Sequence, residues 1–223
     1  NIGDCSILHV ITRLDRGGSA DVVLDLARML KEDGFRVGIA VGKTVDPQED
    51  IDAYSARYGI PVFSVPSLVR EISPAKDIAA VCEVRSVIRR FGPDIVHTHT
   101  SKAGIVGRIA ARLTGRPGIV HTPHGHVFYG YFDPFTTRAF ILAERLAAYI
   151  TDRIVTLTGA GRDDHLHFGI GTPDKYRVIP SGIDIGRFKG GDGSCVRAEI
   201  GSGSAPVIGW AGRLVPVKDC KTF

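Results

Sequence analysis

The stretch IVHTPHGHVFYGYF, Ile119 to Phe132, places His121, His124 and His126 within six positions and follows them with Phe128, Tyr129, Tyr131 and Phe132. Upstream, VHTHTSKAG carries His97 and His99 at i, i+2 spacing, then Ser101 and Lys102. Three chemistries fit. A single imidazole, titrating near neutrality, suits proton transfer. A converging set, His99, His121, His124 and His126, suits a divalent metal and a hydrolase built on it. Rings beside imidazoles suit a sugar or lipid, offering apolar faces and, at Tyr129 and Tyr131, polar tips. Metal sites usually add a carboxylate from another strand end. Here the nearest acid after HGH is Asp133, beyond a loop, and none adjoins HTHTSK, so the non-metal readings are preferred. His97 reads as a core histidine, and Phe128 and Phe132 as packing. His99 and Lys102 read as ligand-facing.

Two further places carry charge or backbone chemistry. DRGGSADVV sets Gly17 and Gly18 before a helical stretch, where bare backbone and free N–H groups admit a phosphate. A tight turn with Ser19 as N-cap explains the same residues. WAGRLVPVK places Arg213 and Lys218 on a loop after an apolar run, either a diphosphate clamp or a solvated loop. Other phosphate motifs fail. GIAVGKT has three residues between its glycines where a P-loop needs four, and those three read as strand. RGGS is not G-x-G-x-x-G, and no acid ends the second strand to hold a ribose, which disfavours a nicotinamide dehydrogenase. No G-x-S-x-G elbow is present, which disfavours an α/β-hydrolase.

The elements that must position these residues alternate between short β-rich runs and amphipathic helices. SILHVIT, FRVGIAV, PVFSV, DIVHTHT, GIVHT, RIVTLT and YRVIP read as strands. Helices are expected over the periodic stretch at 22–30, from Ile78 to Phe91, from Ser101 to Leu113, and from about Pro134 to Ile150. This alternation predicts an α/β fold, a doubly wound Rossmann-like parallel sheet with ligands beyond the carboxyl ends of the strands. The chemistry should then lie at 12–19, 98–102, 122–131, 158–161 and 181–184. Residues 1–185 are expected as one domain. Residues 186–205, rich in Gly and Ser, read as a linker with room for one short helix. Residues 206–223 read as the start of a second domain, PVIGWAG being its first buried strand.

Bulk properties narrow the class. The chain of 223 residues is 43% hydrophobic and 23% charged, a globular balance. A net charge of +4 without basic runs gives no case for nucleic acid and suits a phosphate ligand or an anionic surface. Cys5, Cys82, Cys195 and Cys220 form no C-x-x-C pair and read as reduced thiols, which points to the cytoplasm. No apolar run reaches the roughly 18 residues of a bilayer span, and the start is not a signal peptide. Helical faces carrying Arg85, Arg89, Arg90, Arg108 and Arg112 are candidates for peripheral contact with anionic lipid.

Four segments in order resemble the retaining, GT-B-fold glycosyltransferases of family four, which build capsule, lipopolysaccharide and exopolysaccharide. They are HVITRLDRGGSADVVLDLARMLKEDGFRV, DIVHTHTSKAGIVGRIAARLTGRPGIVHTPHGHVFYGYF, VIPSGIDIGRF and GWAGRLVPVKD. The resemblance implies two Rossmann-like domains facing a cleft, this chain being the acceptor-side domain with the start of the donor-binding one. It also implies transfer from a nucleotide-diphosphate sugar to a lipid-linked or glycan acceptor, with no cofactor and no metal. Carried over by position, Gly17, Gly18, Ser181, Gly182, Asp184, Arg213 and Lys218 fall on the donor side. His124, Arg213 and Lys218 are the catalytic candidates, the two cations drawing charge off the departing diphosphate. His99, Ser101, Lys102, His126, Tyr129 and Tyr131 fall on the acceptor side. The sequence departs from the family where GGSAD replaces a more acidic pattern. It also ends before the glutamate pair that the family uses to bind the donor, so the isolated chain is expected to bind without turnover.

Overall fold

The inner strand β1, Ser6–Ile11, is buried along its whole length, as a strand covered on both faces must be. Around it, the computed structural model describes residues 5–115, 117–125, 128, 133–183, 185–210 and 222, with only the backbone at 187 and 188. The chain divides into two compact units, residues 1–181 and residues 182–223.

In the first unit β1 is followed by α1 (Gly18–Glu32), β2 (Arg36–Val41), α2 (Ile51–Tyr58), β3 (Val62–Ser64) and α3 (Pro74–Phe91). Then come β4 (Ile95–His99), α4 (Ser101–Arg112), β5 (Gly118–Thr122), α5 (Pro134–Tyr149), β6 (Arg153–Thr156), α6 (Gly159–His167) and β7 (Tyr176–Val178). The seven strands form one sheet in the order β3-β2-β1-β4-β5-β6-β7, and every pair is parallel. This is the doubly wound α/β arrangement expected from the strand–helix alternation. Its order reverses between β1 and β4, which opens a crevice beyond their carboxyl ends.

Side-chain alternation divides the core into two layers. Leu8, Val10, Val96 and Ile119 pack with Val84, Ile88 and Val106 of α3 and α4. Ile11, Val37 and Ile39 face Val23, Leu24 and Ala27 of α1 and Tyr54 of α2. Helix α1 buries Ala20, Val23, Leu24 and Ala27, the spacing of a single helical face. Helix α2 was not legible in the hydrophobic pattern. It is short, buries Tyr54 alone among its residues, and is held by an Asp50 cap and by Gly59 at φ 62. Helix α4 approaches the sheet through two glycines. A Cβ on Gly104 would lie 2.5 Å from His121 Cε1, and one on Gly107 would lie 2.6 Å from Thr98 Cγ2.

Arg108, expected on a lipid-facing surface, is instead fully buried. Its guanidinium donates to Glu144 of α5 at 2.7 Å and to the Gly104 carbonyl at 2.8 Å. Together with Thr151 at 3.4 Å, these partners meet the charge where no water reaches. Arg89, Arg90 and Arg112 remain exposed.

In the second unit, α7 (Ile185–Phe188) and α8 (Ser194–Ile200) are the two helices among the described residues. The expected strand at PVIGWAG is not formed over residues 206–210, which are irregular with Ile208 82% exposed. Among the described residues no strand neighbours them to pair their backbone groups, and a strand is not stable alone. Ala211 and Gly212 of that motif lie outside the described residues. Among the described residues no helix is long and apolar enough to cross a membrane.

Candidate active site

The crevice at the reversal of strand order holds a cavity of about 640 Å³. Thr12 and Arg13 reach it from the end of β1, Ser19 from the start of α1, and Thr100, Ser101 and Lys102 from the turn joining β4 to α4. Arg70 and Glu71, ahead of α3, and Phe140 of α5 complete the wall. Three cations therefore face one acid. Arg13 is paired with Asp15 at 3.1 Å. Lys102 is paired with Asp77 at 2.5 Å and donates to the Glu71 carbonyl at 2.9 Å. Arg70 is exposed and has no ion-pair partner among the described residues. With Asp15 and Asp77 counted, the charges around the cavity balance, and Arg70 is the group left to meet an anion.

The local backbone is unusual at two strand exits. Thr100 (φ 64, ψ 168) and His124 (φ 56) are the non-glycine residues of positive φ among those described. A β-branched residue at Thr100's angles is strained, and such strain persists where surrounding structure enforces it, commonly at functional sites. The turn is held by Thr12, whose hydroxyl pairs with Thr100 Oγ1 at 3.1 Å and accepts from the Ala103 N–H at 3.1 Å. On the other side of β1, a Cβ on Gly42 would fall 1.9 Å from the Leu68 carbonyl oxygen and 2.5 Å from that of Thr12. Only glycine fits where these backbones meet.

Beneath the crevice lies a chain of imidazoles. His9 Nδ1 is 3.0 Å from His99 Nε2, and His99 Nδ1 is 2.9 Å from His124 Nε2. His97 stacks 4.1 Å from His99 by ring centroids and bonds Thr122 Oγ1 at 2.8 Å. Burial strips the hydration an imidazolium needs, which lowers His9 and His124 to about 4. His97 and His99 lie well below 6.5, through burial first and then through repulsion from neighbouring imidazoles. His121 is lowered in the same way by burial and then by the Arg108 charge. The network is neutral at physiological pH.

Several expectations change here. His99 is 1% exposed with both ring nitrogens bonded to other histidines, so it supports His124 from below instead of lining the acceptor side. His121 does not join His99. The two alternate across β4 and β5, where Thr98 pairs with His121 and His99 with Thr122. His121 therefore faces Gly104 on the α4 side, bonding Thr98 Oγ1 at 2.9 Å. Among the described residues, His99, His121 and His124 do not converge as a metal cluster, and His126 lies outside them. Instead nitrogens of His9, His97 and His99 lie within 4.8 Å of one another, two of them already bonded to each other. Asp133 caps α5, accepting from the N–H groups of Phe135 and Thr136. Ser19 lies inside α1, and Gly17 (φ 154) occupies the N-cap position in its place.

Ser101 and Lys102 line the cavity, whereas His124 is not among its lining residues and is bonded to His99. Gly17 and Gly18 open α1 at the cavity's edge, next to Ser19. Ser181 and Gly182 are exposed and separate the two units. His126, Tyr129, Tyr131, Asp184, Arg213 and Lys218 lie outside the described residues. Arg70, Glu71 and Phe140 were missed: β3 was not treated as a strand with a ligand-facing exit, and Phe140 reaches the cavity from mid-helix.

A seven-stranded doubly wound sheet with a crevice at its switch point defines a Rossmann-like α/β domain. The sequence profile of Glycosyltransferase Family 4 matches residues 16–187, and the chain belongs to that family. It is 37% identical over 182 residues to the UDP-Gal:alpha-D-GlcNAc-diphosphoundecaprenol alpha-1,3-galactosyltransferase of Escherichia coli, covering 82% of this chain and 46% of that enzyme. It is 26% identical over 216 residues to the D-inositol 3-phosphate glycosyltransferase of Actinosynnema mirum, covering 92% and 52%. In fold it resembles a sucrose-phosphate synthase from Thermosynechococcus elongatus, with a TM-score of 0.66 at 17% identity over 88% of this chain and 52% of that one. The chain spans about half the length of the curated relatives it matches.

Proposed function

We propose that this chain forms the acceptor-side half of a glycosyltransferase that moves a sugar from a nucleotide diphosphate onto a lipid-linked or glycan acceptor, in the synthesis of cell-surface polysaccharide. The observation that carries the reading is a cation-edged cleft at the β1/β4 switch point in a member of Glycosyltransferase Family 4. The Escherichia coli relative is named for a diphosphoundecaprenol-linked acceptor, which favours the lipid-linked class.

In this reading transfer proceeds with retention on one face of the sugar, and the departing diphosphate itself helps deprotonate the acceptor. Arg213 and Lys218 offset the diphosphate charge, with Gly17, Gly18, Ser181, Gly182 and Asp184 on the donor side. No metal or cofactor enters any step. Ser101 and Lys102 orient the acceptor, with His126, Tyr129 and Tyr131 beside them.

His124 contacts a sugar hydroxyl as a neutral imidazole. Orphaned buried N–H groups are rarer than orphaned acceptors, and His9 Nε2 has no partner. The preferred direction along the chain is therefore His9 Nδ1–H to His99 Nε2, then His99 Nδ1–H to His124 Nε2. That direction leaves the His124 proton on Nδ1, as a donor toward the ligand. His9 and His99 are positioning residues.

Peripheral attachment at the cytoplasmic face of a membrane is part of the proposal. Arg112 sits beside the exposed Ile109 and Leu113 on α4, a mixture suited to anionic lipid.

The test uses the polypeptide continued past Phe223 to the length of its relatives. Labelled hexose should pass from one of a panel of nucleotide sugars into a solvent-extractable diphospholipid acceptor. His124→Ala should lower the rate by ~100-fold or more with folding intact. No transfer from any donor, or full activity in His124→Ala, would refute the proposal.

A further inference from the structure

We propose that the groove between α3, α4 and α5 seats the hydrocarbon tail of the acceptor lipid, with the lipid's phosphate lying against Lys102. This rests on the lipid-linked acceptor inferred above and locates the apolar half of that acceptor.

The groove encloses about 570 Å³. Its walls are apolar, formed by Val81 of α3, Ile105 and Ile109 of α4, and Phe140 and Ala143 of α5. Its charged liners are Asp77 and Lys102, which pair with each other at 2.5 Å. Apolar surface stands open to solvent along the rim, with Ile78 69%, Ile72 65% and Leu113 55% exposed. A patch of that kind beside a polar cleft marks a binding surface.

Continuity with the cleft selects the occupant. Ile72, Lys102 and Phe140 line both cavities, so an apolar compartment and a polar one meet at a single lysine. Arg13 and Arg70 add further cations on the polar side, Arg13 paired with Asp15 and Arg70 lying beside Glu71 in the chain. An amphiphile with an anionic head and an aliphatic tail complements this sequence of surfaces. A sugar nucleotide leaves the groove empty, and an apolar helix offers no counter-charge to Arg70, which has no ion-pair partner among the described residues. A methylene takes about the room of one water, ~30 Å³. A groove of this size has room for a stretch of aliphatic chain several isoprene units long. The rest of a longer tail would leave the groove for the bilayer.

The structure supplies its own reporter. Cys82 is exposed on α3 and lines the groove, and Cys195 on α8 is an exposed reference thiol. Maleimide alkylation of both is followed by peptide mass spectrometry on the 223-residue chain. The probes, kept below their micelle concentrations, are geranyl and geranylgeranyl diphosphate, geranylgeraniol and inorganic diphosphate. Geranylgeranyl diphosphate should slow alkylation of Cys82 at least tenfold and leave Cys195 unchanged. Geranyl diphosphate and geranylgeraniol should protect less, and inorganic diphosphate not at all. Ala143→Phe fills the groove from its wall and Ala139→Trp from its exposed edge. Either variant, with an unchanged melting temperature, should abolish the preference for the longer tail.

Absence of protection, or equal protection of both thiols, would overturn the proposal. Protection by phosphatidylglycerol vesicles but by no free prenyl diphosphate would assign the surface to a bilayer. Protection that follows protein concentration alone would assign it to a second copy. The assay involves no sugar transfer, so the two readings fail separately. Tail-dependent protection in a protein that transfers no sugar retains the groove and removes the transferase. Transfer without protection does the reverse.

Discussion

Acidification below pH 6.5 should destabilise this protein steeply, because its central imidazoles are folded uncharged. His9 falls from 6.5 when unfolded to about 4 when folded, burial being the cause. The unfolded state therefore binds more protons than the native state between these values, and stability rises with pH across that window. The contribution is fully present above 6.5 and lost as pH falls to about 4. At pH 5 roughly 97% of unfolded His9 is protonated against about 10% of folded, a loss of ~2 kcal/mol relative to pH 8. His97, His99 and His121 shift in the same direction. With His124, also lowered to about 4, five such groups set an upper limit of ~7 kcal/mol per pH unit, comparable with the whole stability of a domain. The carboxylates of Asp94, Asp133 and Asp174 are lowered from 3.8 and act below the window. Urea unfolding at pH 8, 6.5, 5.5 and 5 measures the effect. The midpoint should fall sharply below 6.5, and His9→Leu should flatten the slope by ~1.4 kcal/mol per pH unit. Equal stability at pH 7 and pH 5 would mean that the histidines are hydrated or already charged, and the neutral network would be wrong.

Other substitutions test the supports of the site. Gly42→Ala forces a Cβ against two backbone carbonyls and should cost ~3 kcal/mol or more by denaturant titration. Gly118→Ala, whose Cβ meets nothing nearer than 3.7 Å, should be close to neutral. Arg108→Met leaves Glu144 buried and unpaired and should cost ~3–5 kcal/mol, whereas Arg108→Met with Glu144→Leu should recover most of that loss in a double-mutant cycle.

Much of the fold could be read in advance because parallel strands buried on both faces leave continuous apolar runs bounded by glycine and proline. All seven strands lie within the expected segments. Strand-exit reasoning also located Thr12, Arg13, Ser19 and Thr100 around the cleft. What escaped was whatever depends on three-dimensional partners. Spacing cannot distinguish His99 from His121, since alternation and strand pairing send one to each face of the sheet. His9 is a lone histidine in an apolar strand, and its link to His99 spans 90 positions. Arg108 looked like a surface cation because its partner, Glu144, comes from another helix. Gly104 and Gly107 stand one helical turn apart in SKAGIVGR, and that pattern could have signalled the close approach of α4 to the sheet.

The most direct measurement is a structure of the extended polypeptide bound to its nucleotide sugar and a diphospholipid acceptor. The account predicts the transferred sugar beyond the ends of β1 and β4, with a hydroxyl about 3 Å from His124 Nδ1, and the acceptor phosphate against Lys102. A sugar bound away from that crevice, with His124 and Lys102 touching neither substrate, would contradict it.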